Sequence, residues 1–334
     1  MIRKFLIVAL GAVVIGAGAF AGILYYYARS ALPVKDAPAQ FSLRAGSSLK
    51  SAARQMAEAG LLHHPAAFVL LGRIFDRAGA IKAGSYEFQP GLTPWDLLQK
   101  ISRGDVTLMA VTFPEGSTFR QWRGILDGHP KLKHETTGWQ DGRILEALAI
   151  DAKSPEGWFF PDTYHVSEGT SDLVVLRRAH QLMGRHLATH WEGRAPGLPL
   201  ATPYDALILA SIVEKETGRE DDRPLVAAVF VNRLRKGMLL QADPTVIYGL
   251  GEQFDGNLRK GDLLADTPYN TYTRSGLPPT PIAMPGLASL SVTLNPPDSD
   301  VLYFVSRGDG SSHFSRTLTE HDRAVTKYQR SGRR

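Results

Sequence analysis

One carboxylate in the middle of the chain, Glu216, lies where a surface helix would not place it. The preceding residues have a helical hydrophobic period, and at 3.6 residues per turn Glu216 shares a face with Ile212 and Val213. The neighbouring Glu214 points roughly 200° away by the same helical period. We expect the Glu216 carboxyl to be partly desolvated, which raises its pKa and suits it to donate a proton near neutral pH.

A plainer explanation exists for the same residue. A glutamate at a helix end often forms an ion pair, and Arg219 or Arg233 could be the partner of Glu216. Composition and periodicity leave both interpretations open.

A second candidate region is the proline-rich stretch from 240 to 285, which shows little periodicity. It predicts a long loop, and loops of more than about 15 residues usually serve a site. Its amides, hydroxyls and tyrosine rings suit a sugar polymer, although a simple turn and core-packing tyrosines would explain them as well. The predicted substrate-binding residues are Gln241, Asp243, Thr245, Tyr269, Asn270 and Tyr272.

The sequence gives little support for a metal site, a catalytic nucleophile or a nucleotide-binding motif. The chain has no cysteine, which excludes disulfides and thiolate metal sites. His186 and His190 have the spacing of a zinc helix, but Leu187 stands where a zinc protease needs a glutamate. Nucleophile elbow, phosphate-binding loop and dinucleotide fingerprint are all missing from the sequence. We therefore predict neither a metal nor a cofactor.

Composition narrows the partners. The 334 residues are 43% hydrophobic, enough for real cores, and carry a net charge of +5 with a pI near 9.3. A basic protein favours anionic partners such as nucleic acid, phospholipid head groups or an acidic wall polymer. Because no basic block is interleaved with aromatic residues, no nucleic-acid partner is predicted.

The N-terminus predicts a membrane anchor. Residues 5–27 form an uncharged run preceded by Arg3 and Lys4. This run is long enough to cross a bilayer and longer than the core of a cleavable signal peptide, although cleavage near residues 17–21 is the alternative. The positive residues place the N-terminus in the cytoplasm and the remainder outside.

The rest of the chain predicts an α+β fold with two domains. We expect a cytoplasmic stub and transmembrane anchor over 1–28, a linker over 29–40, a small α/β domain over 41–106 and a larger mixed domain over 107–334. A strand, a turn glycine and a helix-capping Ser or Thr recur three times. The turn glycines are Gly46, Gly91 and Gly116, and the predicted caps are Ser48, Thr93 and Thr118.

The larger domain carries further signals. Periodicity and caps predict helices over 143–152, 171–193, 205–217 and 224–236. A buried strand over 301–305, a hairpin turn at 308–310 and a polar closing helix over 319–330 complete it.

Short motifs along the chain resemble the YceG-like family of bacterial endolytic murein transglycosylases. The resemblance covers nearly everything beyond the anchor. The matching stretches are Glu156–Tyr164, Ala210–Thr217, Val229–Leu234, Leu240–Gly249, Tyr269–Tyr272, Gly276–Pro279, Ile282–Gly286 and Leu302–Val305.

The resemblance implies a single-pass protein of the inner membrane with a periplasmic catalytic domain. It implies that the 41–106 region is LysM-like and that the active site contains a lysozyme-like helical element. The family's catalytic glutamate precedes a threonine, which corresponds to Glu216, the residue that helical geometry also selects.

The implied reaction cleaves MurNAc-β-1,4-GlcNAc bonds inside peptidoglycan strands without water, leaves 1,6-anhydro ends and terminates nascent strands. Penicillin-binding-protein synthases are the implied partners. Two alternatives stay open: a hydrolytic muramidase with Asp243 as second carboxylate, and a wall-binding scaffold without activity.

Overall fold

The structure is a computed structural model that describes residues 2–33, 39–44 and 46–330. The chain divides into two compact units, the first of residues 1–110 with 165–169 and the second of residues 111–164 with 170–334. Helices and short two-stranded sheets occur together, so the α+β prediction is confirmed.

The first element, α1 (Ile2–Arg29), is the predicted apolar helix. Its segment Phe5–Arg29 is long and apolar enough to cross a membrane. Large apolar side chains stand exposed along it, Ile15 for example at 74%. Such a surface suits lipid far better than water.

The main elements of the first unit after α1 are β1 (Ala39–Leu43), α2 (Leu49–Glu58), α3 (Pro65–Ile74), β2 (Gly84–Phe88) and α4 (Pro94–Arg103). β1 and β2 pair antiparallel, with Phe41 opposite Tyr86. Tyr86 belongs to one buried cluster with Met56 of α2, Phe68 of α3 and Leu98 of α4. This cluster is the core of the unit.

The end of α1 is built into that core. Ala28 and Leu32 are both buried in it, and the Leu32 N–H donates to the Leu92 carbonyl over 2.8 Å. The predicted linker therefore packs against the unit at Leu32, while residues 34–38 lie outside the described part of the chain.

Beyond α4 the chain forms β3 (Leu108–Thr112), α5 (Phe119–Gly128), α6 (Asp141–Leu148), β4 (Thr163–Ser167), α7 (Asp172–Glu192), α8 (Pro203–Glu216), α9 (Arg223–Arg235), α10 (Asp243–Leu250), α11 (Lys260–Leu264), α12 (Leu287–Leu294), β5 (Tyr303–Ser306), β6 (Ser312–Ser315) and α13 (Leu318–Val325). β3 pairs with β4, and β5 pairs antiparallel with β6 as the predicted hairpin. A 3-10 turn follows α10 and a π turn follows α13.

The three predicted capped helices are confirmed. The hydroxyls of Ser48, Thr93 and Thr118 accept backbone N–H bonds at the starts of α2, α4 and α5. The glycines before them have φ between +70° and +86°, a region that only glycine enters without a Cβ penalty. The sequence does not predict α3 as an amphipathic helix. Its own apolar residues, such as Leu70 and Leu71, lie on all of its sides and show no helical period.

α8 is the central helix of the second unit. All residues from Ala206 to Val213 are buried, because α7, α9, α10 and α12 pack around it. The apolar face that the helical period predicts around Ile212 and Val213 is only part of the buried surface of α8, since a helix enclosed by neighbours is apolar on every side.

The long loop predicted over 240–285 is wrong in part. It contains α10, the 3-10 turn and α11. Asp243 and Pro244 form the first turn of α10, where proline is tolerated because the first helical N–H groups have no intrahelical partner. These helices are too short to show a period.

Candidate active site

Glu216 is the last residue of α8. The helix before it is buried in the hydrophobic core of the second unit. The start of α8 is fixed by a capping box in which the Asp205 N–H donates to the Thr202 hydroxyl over 3.2 Å. A helix fixed at its start and buried along its length gives Glu216 a defined position.

Glu216 faces a cleft of about 420 Å³ in the second unit. The lining comes from the end of α8, from α9, from the start of α10 and its preceding turn, from the loop after α11, from β5 and from α13 with the turn after it. Its chemically active side chains are Glu216, Arg233, Gln241, Asp243, Tyr272 and His321. The structure therefore brings four of the seven predicted site residues together.

The Glu216 carboxyl is half-buried and has no hydrogen bond or ion pair within the described part of the chain. Burial, and then the negative charge of Asp243, raise its pKa to about 8, against a lowering effect of Arg233. A carboxyl with this pKa holds its proton at neutral pH and can give it to a ligand in the cleft.

The ion-pair explanation of Glu216 has no support in the geometry. Arg219 lies 3.7 Å from Asp221 instead. Arg233 is buried and donates to backbone carbonyls, from Nε to Leu302 and from Nη1 to Leu240, both at 2.8 Å.

Arg233 also ties the walls of the cleft together. Its guanidinium lies over the ring of Tyr303, 5.3 Å from the centroid. Its bonds join α9 to Leu302, the residue before β5, and to the turn before α10. Arg233 thus connects two walls of the cleft, and its charge favours the ionised form of Glu216 once a proton has left.

Asp243 and Tyr272 form a bonded pair in the cleft. The Tyr272 hydroxyl donates a short hydrogen bond to Asp243 Oδ1. Burial, with this bond and the charge of Asp243, raises the pKa of Tyr272, so the hydroxyl remains a donor at physiological pH. The pair fixes a negative charge beside Glu216.

Gln241 has an unusual backbone, with φ of +49°. Its N–H donates to the Thr271 carbonyl over 3.0 Å, and the Ala242 N–H donates to the Thr271 hydroxyl over 3.0 Å. These bonds hold the strained turn. The side-chain carbonyl accepts from Arg233 over 3.4 Å, and the NH₂ group has no hydrogen bond within the described residues, which leaves it for a ligand.

The remaining predicted residues serve the protein itself. Thr245 is fully buried and bonds Ala242 and Thr271. Asn270 is buried and donates to three carbonyls between residues 262 and 265. Tyr269 bonds Thr280 and packs against Tyr248. These side chains stabilise the loop and lie outside the cleft lining. The geometry therefore does not support a contact between them and substrate.

One wall of the cleft was missed by the sequence analysis. Phe304 and Ser306 of the hairpin and His321 of α13 line it, and His321 stacks on Tyr303 with ring centroids 5.3 Å apart. Burial is the main cause that lowers the pKa of His321, so its ring is neutral at neutral pH. No spacing along the chain links these residues to Glu216, since tertiary packing alone brings them there.

Two other glutamates of the second unit have protein partners, and Glu156 shows that a raised pKa does not suffice to identify the site. Glu156 is buried with its pKa raised to about 7, chiefly by burial, yet it accepts from the Phe119 N–H at the start of α5 and from the Tyr248 hydroxyl. Glu214 accepts from the Gly286 N–H and the Ser289 hydroxyl. Both carboxylates are occupied by the protein, whereas Glu216 faces an open cleft.

The chain is similar to known proteins over most of its length. The model of the YceG-like family matches residues 41–327. An endolytic murein transglycosylase of Bacillus subtilis (strain 168) is 30% identical over 328 residues, covering 92% of this chain and 90% of that protein. An endolytic murein transglycosylase of Streptococcus pneumoniae serotype 2 (strain D39) is 29% identical over 320 residues, which cover 86% of this chain and 57% of that protein.

A solved structure is similar as well. The 2.6 Å crystal structure of a YceG-like protein from Listeria monocytogenes superposes with a TM-score of 0.55 at 29% identity, covering 86% of this chain and 98% of that one. With the family model spanning both units and the relatives covering most of the chain, the chain belongs to the YceG-like family.

Proposed function

We propose that this chain is a membrane-anchored endolytic lytic transglycosylase. It cleaves MurNAc-β-1,4-GlcNAc bonds within peptidoglycan strands, and Glu216 handles the proton at both stages. The observation that carries the proposal is the Glu216 carboxyl, with a pKa raised to about 8, facing an open cleft without a protein partner in the described chain. The names of the curated relatives support the same reaction.

In the first step Glu216 acts as general acid. Its proton passes to the glycosidic oxygen as the bond from that oxygen to C1 of MurNAc breaks, so the GlcNAc side leaves as an alcohol. The 2-acetamido group of MurNAc stabilises the positive charge at C1 from within the substrate. The charge of Asp243 opposes ionisation of Glu216 beforehand, and that of Arg233 supports the anion afterwards.

In the second step the Glu216 carboxylate acts as general base. It removes the proton from the C6 hydroxyl while O6 bonds to C1, which closes a 1,6-anhydro ring and restores the acid. An internal nucleophile has a high effective concentration, so no activated water is needed. One carboxyl then serves where glycosidases usually use two.

Hydrolysis is the second candidate, favoured by one observation. Asp243 lines the same cleft as Glu216 and could serve as a second carboxylate. Its Oδ1 already accepts a hydrogen bond from Tyr272, and we assign Asp243 to tuning Glu216 and binding glycan.

For substrate contact we propose Gln241, Asp243 and Tyr272. Their amide, carboxylate and hydroxyl groups line the cleft and match the hydroxyl and acetamido groups of a glycan. We assign Thr245, Tyr269 and Asn270 to supporting that loop.

The wider arrangement is also part of the proposal. Residues 1–28 anchor the chain in the inner membrane with the N-terminus in the cytoplasm, and residues 29–40 lead away from the anchor. A LysM-like domain over 41–106 precedes a periplasmic catalytic domain over 107–334 with a lysozyme-like helix, α8. The enzyme terminates nascent strands beside penicillin-binding-protein synthases. The exposed apolar surface of α1 supports the anchor.

Incubation of the purified chain with isolated peptidoglycan sacculi tests whether it is an enzyme. We expect soluble glycan fragments to accumulate with time, whereas a wall-binding scaffold would co-sediment with the sacculi and release nothing. Binding without release would contradict the proposal.

Replacing Asp243 by asparagine should shift the pH dependence of cleavage. The charge of Asp243 raises the pKa of Glu216, so its removal lowers that pKa and ionises the acid at lower pH. The alkaline limb of the pH–rate profile should therefore move toward acid.

The matched control is Asp266→Asn, which removes an exposed acid paired with Arg274 outside the cleft lining and should leave the limb in place. An unmoved limb in Asp243→Asn would refute the electrostatic role. Loss of activity at every pH would favour the two-carboxylate mechanism.

A further inference from the structure

Within the described part of the chain, the outer face of α3 is apolar and exposed, and Phe75 just after it meets the ring of Trp95 edge-on. Phe68 and Leu71 point into the core of the first unit, whereas Leu70 and Ile74 are 36% and 52% exposed on the other side, and Phe75 follows at 50%. Leu70 and Ile74 are one helical turn apart and share a face. Neighbouring exposed apolar side chains of this kind make the face a candidate interaction surface.

The position of α3 indicates what covers that face. Leu24 and Tyr27, in the last turns of α1, pack against the core of the first unit. The Tyr27 hydroxyl donates to the carbonyl of His64, the residue before α3, over 3.1 Å. α3 therefore begins directly against the end of the apolar helix.

The length of α1 sets the depth of this contact. At about 1.5 Å per residue, the uncharged run of residues 5–27 is roughly 34 Å long, close to the hydrocarbon thickness of about 30 Å. Leu24 and Tyr27 then lie near the outer boundary of the hydrocarbon. Groups of the first unit that pack against them lie at the level of the lipid head groups.

The charges near α3 fit phospholipid. Arg73 and Arg77 are exposed at its C-terminal end, beside the apolar face. Residues 29–110 as a whole carry ten Lys and Arg against six Asp and Glu. Arginine side chains beside an apolar helix face reach up to lipid phosphates while the apolar groups enter the acyl boundary.

We propose that the outer face of α3 is a lipid-binding surface that seats the first unit on the outer leaflet of the membrane. This inference rests on the proposed anchor and extends it. Since Ala28 and Leu32 are packed in the core of the first unit, the unit stays next to the membrane-spanning part of α1. Leu70, Ile74 and Phe75 enter the interface, and Arg73 and Arg77 bind phosphates.

The absence of cysteine allows a direct test with the full chain. Ile74→Cys is labelled with an environment-sensitive fluorophore and reconstituted in phosphatidylethanolamine–phosphatidylglycerol vesicles containing nitroxide-labelled lipid. Arg54→Cys, on an exposed position of α2, is the matched control, and Ile15→Cys within α1 reports the anchor itself. Unfolding curves in detergent show that each variant folds.

We expect the Ile74 probe to emit at shorter wavelength and to be strongly quenched by the nitroxide lipid, whereas the Arg54 probe keeps its emission. A quenched Ile15 probe with an unquenched Ile74 probe overturns this inference and leaves the anchor intact. An unquenched Ile15 probe overturns the anchor as well. If the Ile74 probe is shielded from aqueous iodide but insensitive to nitroxide lipid, a second copy or another protein covers α3 and the lipid assignment is wrong.

Discussion

Replacement of Glu216 by glutamine should lower the rate of glycan cleavage by about 10²–10⁴-fold, the usual contribution of a positioned general acid. Glutamine has nearly the same shape but neither donates nor accepts a proton at the glycosidic oxygen. Because the Glu216 side chain makes no hydrogen bond within the described structure, the variant should fold and bind glycan as the parent does. Release of fragments from sacculi measures the rate, and co-sedimentation measures binding.

Glu214→Gln is the matched control for this experiment. It makes the same chemical change two residues earlier on α8, at a carboxylate that accepts from Gly286 and Ser289 and lies outside the cleft lining. We expect it to retain most of the activity, with at most a modest loss of stability. Normal cleavage by Glu216→Gln would show that another residue is the acid.

The same Glu216→Gln substitution should stabilise the folded protein at alkaline pH. The pKa of Glu216 is about 8 in the folded chain, above the ordinary value of 4.5. Below pH 4.5 the carboxyl is protonated in both states and has no effect. Between pH 4.5 and 8 the unfolded chain binds fewer protons than the folded chain, so the stability of the parent protein falls as the pH rises.

The variant lacks this loss, so its advantage in unfolding free energy should grow across that range and then level off. A shift of one pKa unit corresponds to about 1.4 kcal/mol, so the difference should reach a few kcal/mol, reduced because part of the side chain faces solvent. Denaturant unfolding of both proteins at pH 4.5, 6, 8 and 9 measures it. An advantage that is equal at every pH would show that burial does not hold the proton on Glu216.

Local signals in the sequence were sufficient for much of the fold. The caps Ser48, Thr93 and Thr118 and their turn glycines lie where they were predicted, because a cap and a left-handed turn depend on residues close in the chain. The apolar run of α1 was equally plain. α3 escaped detection because its apolar residues lie on every side, and α10 escaped because it is too short to show a helical period.

Only part of the candidate site could be predicted from the sequence. The helical period placed Glu216 on the side of Ile212 and Val213, and the structure puts its carboxyl in a partly desolvated cleft. The helical period could not show that the side chains of Asn270 and Thr245 form hydrogen bonds within the protein. It also could not show that Phe304 of β5 and His321 of α13 line the cleft. Those facts depend on contacts between segments far apart in the chain.

Mass spectrometry of the glycan ends released from defined, uncrosslinked strands tests most directly whether a single carboxyl carries out both proton transfers. Ring closure at C1 by O6 predicts 1,6-anhydro-MurNAc ends, each lighter by one water than a reducing end, from the first turnovers onward. Reducing MurNAc ends as the primary product would contradict this account and would assign the cleft to hydrolysis, with Asp243 as the second carboxylate.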